Sequence, residues 1–221
     1  MAKLTLTFDN GPHAVWTPHV LDVLKARAIK TTFFVVGRRL LLWPELRGVL
    51  ERARDEGHWI ANHSYNHVYS LGDIDRDDAY DVEVKSTFDV LGDLAHPDRL
   101  YRPFCNAGIV NDRVFKKIDV QRLQEDGATI VFFNSLPHDW DDKEGWVGRA
   151  LDDIETRDWS TIVLHDIAGY PDNVDVGAMA RLDEFITIAL ERGHEFVQEF
   201  SPDTILVERG KPLQDIGFLM H

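Results

Sequence analysis

The first eight residues, Met1-Ala2-Lys3-Leu4-Thr5-Leu6-Thr7-Phe8, alternate apolar and polar side chains with the two-residue period of a half-buried strand. Short apolar runs follow at Thr31–Val36, Trp59–Ala61, Arg99–Arg102, Thr129–Phe133, Thr161–Leu164 and Glu195–Val197, and with Leu4–Phe8 these are the candidate strands. Between them the rhythm lengthens to that of a helix. Leu21, Leu24 and Ala28 share one face, Val84, Phe88 and Leu91 another, and Leu182, Phe185, Ile186 and Ala189 a third. Gly57, Gly127 and Gly193 each follow a charged helical stretch and precede a strand, where a left-handed helix stop is expected. Strand–helix units repeated without an internal repeat or a linker-like run predict a parallel α/β architecture. Periodicity alone leaves a barrel and an open sheet equally available.

The polar residues narrow the choice. Asp9 follows the first strand, His63 and His67 the third, Arg102 the fourth, Asp139 and Trp140 the fifth, and His165 the sixth. Side chains able to do chemistry thus gather after the C-terminal ends of successive strands, the face where α/β barrels and sheets carry their active sites.

Composition sets the outer limits. A chain of 221 residues, 44% hydrophobic and 28% charged, has the make-up of a soluble globular protein with room for one sizeable core. A net charge of −14 argues against nucleic acid or an anionic membrane as partner, because phosphate binding needs clustered Lys and Arg. No apolar run is long enough to span a bilayer, and the N-terminus opens directly in a strand with no apolar leader, so a cytoplasmic location is expected. The single cysteine, Cys105, excludes an internal disulfide and a cysteine-only metal site.

Histidines four residues apart on a helical turn project to one side, so His63 and His67 are expected to ligate one cation together. The plain alternative is a pair of structural histidines at a helix start. A hydrolytic metal site also needs a carboxylate to take a proton, a donor for the leaving group and an N–H for the oxyanion. Asp9, His165 and the backbone around Phe104 are candidates for these roles.

Together the segments resemble the polysaccharide deacetylase family (the NodB-homology domain, carbohydrate esterase family 4). The resemblance runs from about Leu4 to Phe200 and presents five motifs in the family's order. Thr7-Phe8-Asp9-Asn10-Gly11-Pro12 is similar to the first, T-F-D-D-G-P, and His63-Ser64-Tyr65-Asn66-His67 to the second, H-[ST]-x-x-H. Arg102-Pro103-Phe104-Cys105 resembles the third, Asp139-Trp140 the fourth, and Leu164-His165-Asp166 the fifth. The resemblance implies a distorted (β/α) barrel of about seven parallel strands, of the NodB-homology type. It makes Asp9 the general base, paired with Arg102. His63, His67 and the residue at position 10 hold a divalent ion, usually zinc, and the N–H of Phe104 helps to stabilise the oxyanion. His165 protonates the departing amine, Asp139 orients it, and Trp140 and Leu164 wall the acetyl pocket.

Two departures bear on activity. Asn10 stands where the family has a metal-binding Asp, and an amide oxygen ligates without charge, so the zinc site should be weaker. A working site with a weak third ligand or a different metal, a member that has lost or changed activity, an engineered inactive form, and chemical conversion of the Asn-Gly pair to Asp all remain open. Cys105 replaces a glycine beside the oxyanion donor, where it would narrow the cleft, disturb the backbone, add a soft ligand or simply pack. The expected activity is hydrolysis of an N-acetyl group on an N-acetylated sugar or oligosaccharide. A small-molecule amidase and a non-catalytic barrel without metal are the alternatives. Residues 1–200 are expected to form the single domain and residues 201–221 an extension that covers the barrel or a partner subunit.

Overall fold

The computed structural model describes residues 1–168 and 177–221. Its centre is strand β1 (Lys3–Asp9), which pairs in parallel along its whole length with β6 (Trp159–His165), from Lys3 opposite Trp159 to Asp9 opposite His165. On the other edge β2 (Thr32–Val35) takes Thr7 to Asp9, and the short β7 (Glu195–Phe196) takes Lys3 and Leu4. Strands β3 (Trp59–Asn62), β4 (Leu100–Tyr101) and β5 (Thr129–Val131) continue the parallel sheet. Beyond β5 the isolated parallel bridge Ser135–Ile162 brings the chain back to β6, so the sheet curls into a distorted barrel.

Two more strands come from the C-terminal segment. β8 (Ile205–Glu208) lies antiparallel on β5, and β9 (Lys211–Pro212) lies antiparallel on β8. Leu206, Val207, Ile216 and Leu219 enter one apolar cluster with Tyr101, Ile130 and Phe115. Residues 205–219 are therefore built into the sheet and its core.

Alternation along the central strands sorts the side chains. Leu4, Leu6 and Phe8 of β1, with Ile162 and Leu164 of β6, face a core shared with helices α1 (Trp16–Arg27), α6 (Trp146–Ile154) and α7 (Leu182–Glu191). Burying each such side chain contributes about 1.5–3 kcal/mol. Thr5, Thr7 and Asp9 occupy the opposite face, buried inside the barrel, where they need polar partners. Thr7 finds one by donating to Ile162 O at 2.8 Å.

The helical stripes sit largely where the periodicity puts them. Leu182, Phe185, Ile186 and Ala189 are all buried on α7, as are Phe88 and Leu91 on α4 (Ser86–Leu91). Ala28 departs from its stripe: it is exposed and left-handed, φ 56°, because α1 has ended one residue earlier. Gly57 and Gly127 take positive φ after α3 (Arg47–Asp55) and α5 (Lys117–Glu125), as the pattern requires. Among the described residues no helix is long and apolar enough to cross a membrane.

Candidate active site

Five strand ends and the segments that follow them converge at the C-terminal mouth of the barrel on a cavity of about 170 Å³. Asp9, Asn10, His63, His67, Arg102, Phe104, Trp140 and His165 all line it, so the chain brings these sequence-predicted residues together. Asp139 stands behind His165, fully buried.

Asp9 emerges from the interior face of β1 and meets Arg102, which follows β4. Both are buried, and Arg102 Nη1 donates to Asp9 Oδ1 at 2.6 Å and to Thr7 Oγ1 at 2.9 Å. Its other N–H groups go to Val131 O at 3.2 Å and Phe132 O at 3.0 Å, and its guanidinium lies 3.9 Å over the Phe34 ring. Burial lowers the Arg102 pKa, and the charge of Asp9 opposes that shift. A buried ion pair of this kind holds because nearly every donor has an acceptor.

His63 is buried as well, and its Nδ1 donates to Arg102 O at 2.9 Å, which fixes the tautomer and leaves the Nε2 lone pair directed away. Burial pushes its pKa down to about 3, so the ring is neutral. His67 also falls well below the ordinary value, through burial first and then the neighbouring His63. The two Nε2 atoms stand 3.1 Å apart, and His63 Nε2 is 3.4 Å from Asp9 Oδ2. The expected helical turn is absent. The segment is a loop in which Ser64 and His67 are left-handed, φ 66° and 55°, and this loop, not an i,i+4 helical spacing, turns both imidazoles to one point.

The donor set suits a divalent cation. At Zn–N distances of about 2.0–2.1 Å, two tetrahedral nitrogen ligands lie about 3.4 Å apart, close to the 3.1 Å between these two Nε2 atoms. Asn10 Oδ1, on the same cavity wall, is buried with no hydrogen-bond partner, an orphan acceptor that a cation would satisfy. Among the described residues no group of three or more His, Cys, Asp or Glu side chains could hold a metal ion.

Across the cavity Asp139 grips His165 twice, accepting from its backbone N at 2.8 Å and from its Nδ1 at 2.9 Å. Burial disfavours the imidazolium, but the Asp139 charge and hydrogen bond outweigh it and raise the His165 pKa above its ordinary value. Trp140 packs edge-on against His165, ring centroids 5.0 Å apart.

Leu164 does not wall the cavity. It points into the helix-facing core with no exposed surface, and its strand neighbour Val163 lines the cavity instead, because adjacent residues on a strand face opposite sides. Cys105 adopts an extended backbone, φ −123°, open to any residue, so it does not strain the turn. Burial pushes its thiol up to about 12, which keeps it protonated and a poor ligand.

Asp166, the last residue of the segment Leu164-His165-Asp166, is a buried carboxylate to which the resemblance assigns no role. It is 1% exposed, accepts from Thr17 Oγ1 at 2.5 Å, and burial raises its pKa to about 6. A Cβ on Gly11 would meet its carboxylate carbon at 2.6 Å, so only glycine fits there. Its place directly after His165 is the one signal in the sequence.

A family profile described as polysaccharide deacetylase matches residues 2–118. The chain is 30% identical over 197 residues to a peptidoglycan-N-acetylglucosamine deacetylase of Bacillus cereus, covering 88% of this chain and 84% of that protein. It is 28% identical over 196 residues to the Listeria monocytogenes peptidoglycan-N-acetylglucosamine deacetylase PgdA, covering 88% of this chain but only 37% of that longer protein. Among solved structures, the Bc1960 peptidoglycan N-acetylglucosamine deacetylase superposes with a TM-score of 0.73 at 25% identity, over 91% of this chain and 87% of that one. A family 4 acetyl xylan esterase from Clostridium thermocellum, solved with a cobalt ion, gives a TM-score of 0.70 at 26% identity, over 89% and 87% of the two chains.

Proposed function

Because this chain belongs to the polysaccharide deacetylase family, we propose that it hydrolyses the N-acetyl amide of an N-acetylated sugar or short glycan, releasing acetate and a free amine. The observation that carries this reading is the placement of two charged dyads, Asp9–Arg102 and Asp139–His165, around one pair of converging neutral imidazoles. The names of the relatives favour N-acetylglucosamine as the sugar unit.

His63, His67 and Asn10 would hold a divalent cation, zinc in this proposal, which when bound polarises a carbonyl and lowers the pKa of a water molecule toward about 7. Asp9, oriented by its hydrogen bond from Arg102, takes the proton from the attacking water. Attack converts the planar amide to a tetrahedral adduct whose oxyanion the N–H of Phe104, a residue that lines the cavity, would stabilise. His165, protonated because Asp139 holds it so, gives its proton to the departing nitrogen, and the C–N bond breaks. Trp140 and Val163 wall the space beside this step, and Leu164 only braces the strand behind it.

Asn10 sets the strength of the site. Two imidazoles and an amide bring no negative charge to the cation, so binding is weaker than with a carboxylate. The test is the appearance of primary amine on N-acetylglucosamine oligomers with protein that is first chelated and then given zinc. Turnover should return with the metal, and Asp9→Asn should stay silent. Equal rates with and without zinc would remove the cation from the account.

A further inference from the structure

Residues Asp81–Lys85 form a turn of π-helix that runs directly into α4, and wide turns of this kind concentrate at functional sites. The turn lies against the loop that carries both histidines, and it offers that loop a buried carboxylate. Glu83 is 7% exposed. Its Oε2 accepts from Tyr65 N at 3.2 Å and Asn66 N at 2.9 Å, and its Oε1 accepts from the Asn66 side-chain amide at 2.7 Å. The adjoining Val84 O accepts from Asn62 Nδ2 at 2.8 Å, and Asn62 Oδ1 in turn accepts from Ser64 N at 2.9 Å. On the far side Gly37 N and Arg38 N, opening α2 (Gly37–Leu42), donate to Ser64 O at 3.1 Å and Tyr65 O at 3.0 Å.

The loop between the histidines therefore bonds outward on both sides. Ser64 and His67 sit in left-handed conformations that non-glycine residues hold only when their surroundings over-determine them. A buried carboxylate is itself costly unless donors satisfy it, and Glu83 has three, all from this loop. None of the proposed proton transfers uses it.

We propose that Glu83 is a positioning residue for the cation site. It holds the His63–His67 loop in the one shape that brings both Nε2 atoms together. The inference rests on the reading of His63, His67 and Asn10 as cation ligands.

The test compares the full chain with Glu83→Gln, nearly the same shape but uncharged and with a donor NH2 in place of one of the two accepting oxygens. Asn66→Ala, which removes only the Oε1 bond, is the milder partner. Two quantities are read: zinc affinity by chelator competition, and amide hydrogen–deuterium exchange across residues 62–70. Glu83→Gln should weaken zinc by about 10–100-fold and speed exchange in that segment while β1 and β6 keep their protection. Asn66→Ala should move both in the same direction by less. A residue that only adds stability would lower Tm and leave zinc affinity within twofold; that outcome, or unchanged exchange at residues 62–70, overturns the proposal. If the parent chain binds no zinc, the ligand reading fails by itself. Exchange then decides for Glu83, local acceleration upholding its hold on the loop and no acceleration overturning it. Should Glu83→Gln not fold, Asn66→Ala carries both measurements.

Discussion

At position 10 an amide stands in a left-handed conformation, φ 72°, a region that Asn and Asp both tolerate. Charge at this point can therefore be changed without a backbone penalty. Arg102 offers no such freedom. Replacing it with Met would strand the buried Asp9 carboxylate, and equilibrium unfolding should report a loss of about 3–5 kcal/mol. In the proposed reaction the Asp139–His165 pair is expected to set the alkaline side of activity. Because the His165 pKa is raised, the protonated donor persists to higher pH and activity falls only as pH climbs through that value. Asp139→Asn removes the charge that raises it, so the alkaline limb of the pH–rate profile should move to lower pH. His165→Ala should lower kcat by about 10²–10⁴-fold. Most of these residues were legible as types at strand ends. The loop geometry behind them was not, since nothing in His63-Ser64-Tyr65-Asn66-His67 announces two left-handed residues, and the carboxylate that satisfies the loop lies sixteen positions on at Glu83.

At the scale of elements, each expected strand exists, and the errors lie at the ends. The fourth strand shrinks from Arg99–Arg102 to Leu100–Tyr101 because Arg99 is left-handed and Arg102 turns into the barrel. The fifth stops at Val131, beyond which Phe132 N bonds to Thr204 O. That partner belongs to the C-terminal segment, whose role was open because periodicity shows that a face is apolar and not what it meets. The inward or outward sense of β6 was equally hidden: Ile162-Val163-Leu164 is apolar at every position, which conceals its alternation. Leu164→Ala tests the sense assigned here. It should cost about 2–5 kcal/mol of stability and leave KM for substrate unchanged, since the side chain lies in the helix-facing core.

For the whole molecule, burial of uncharged histidines couples stability to pH. His58 and His63 have folded pKa values pushed down to about 4 and about 3 from 6.5, and His67 is lowered too. Neutral rings are favoured by the fold, so this stabilisation is complete above about 6.5 and is lost as pH falls toward those values. Asp166 acts in the opposite sense: raised from 3.8 to about 6, it favours the fold at low pH and that share is lost as pH rises through about 6. Asp119 and His165, both raised, act with it, and the four lowered histidines, His96 among them, outnumber these three. Tm of metal-free protein should fall by roughly 5–10 °C from pH 7 to pH 5, followed by circular dichroism, and a flat profile would mean the rings are not buried neutral. The family fold, the barrel mouth and the paired acids and bases then leave one variable, the charge delivered to the cation. Acetate release from N-acetylglucosamine oligomers, measured against zinc concentration for this chain and for Asn10→Asp, addresses it directly. The account predicts zinc-dependent acetate from both, with the Asp form reaching half-maximal rate at lower zinc. Zinc bound by both proteins with acetate from neither would contradict it.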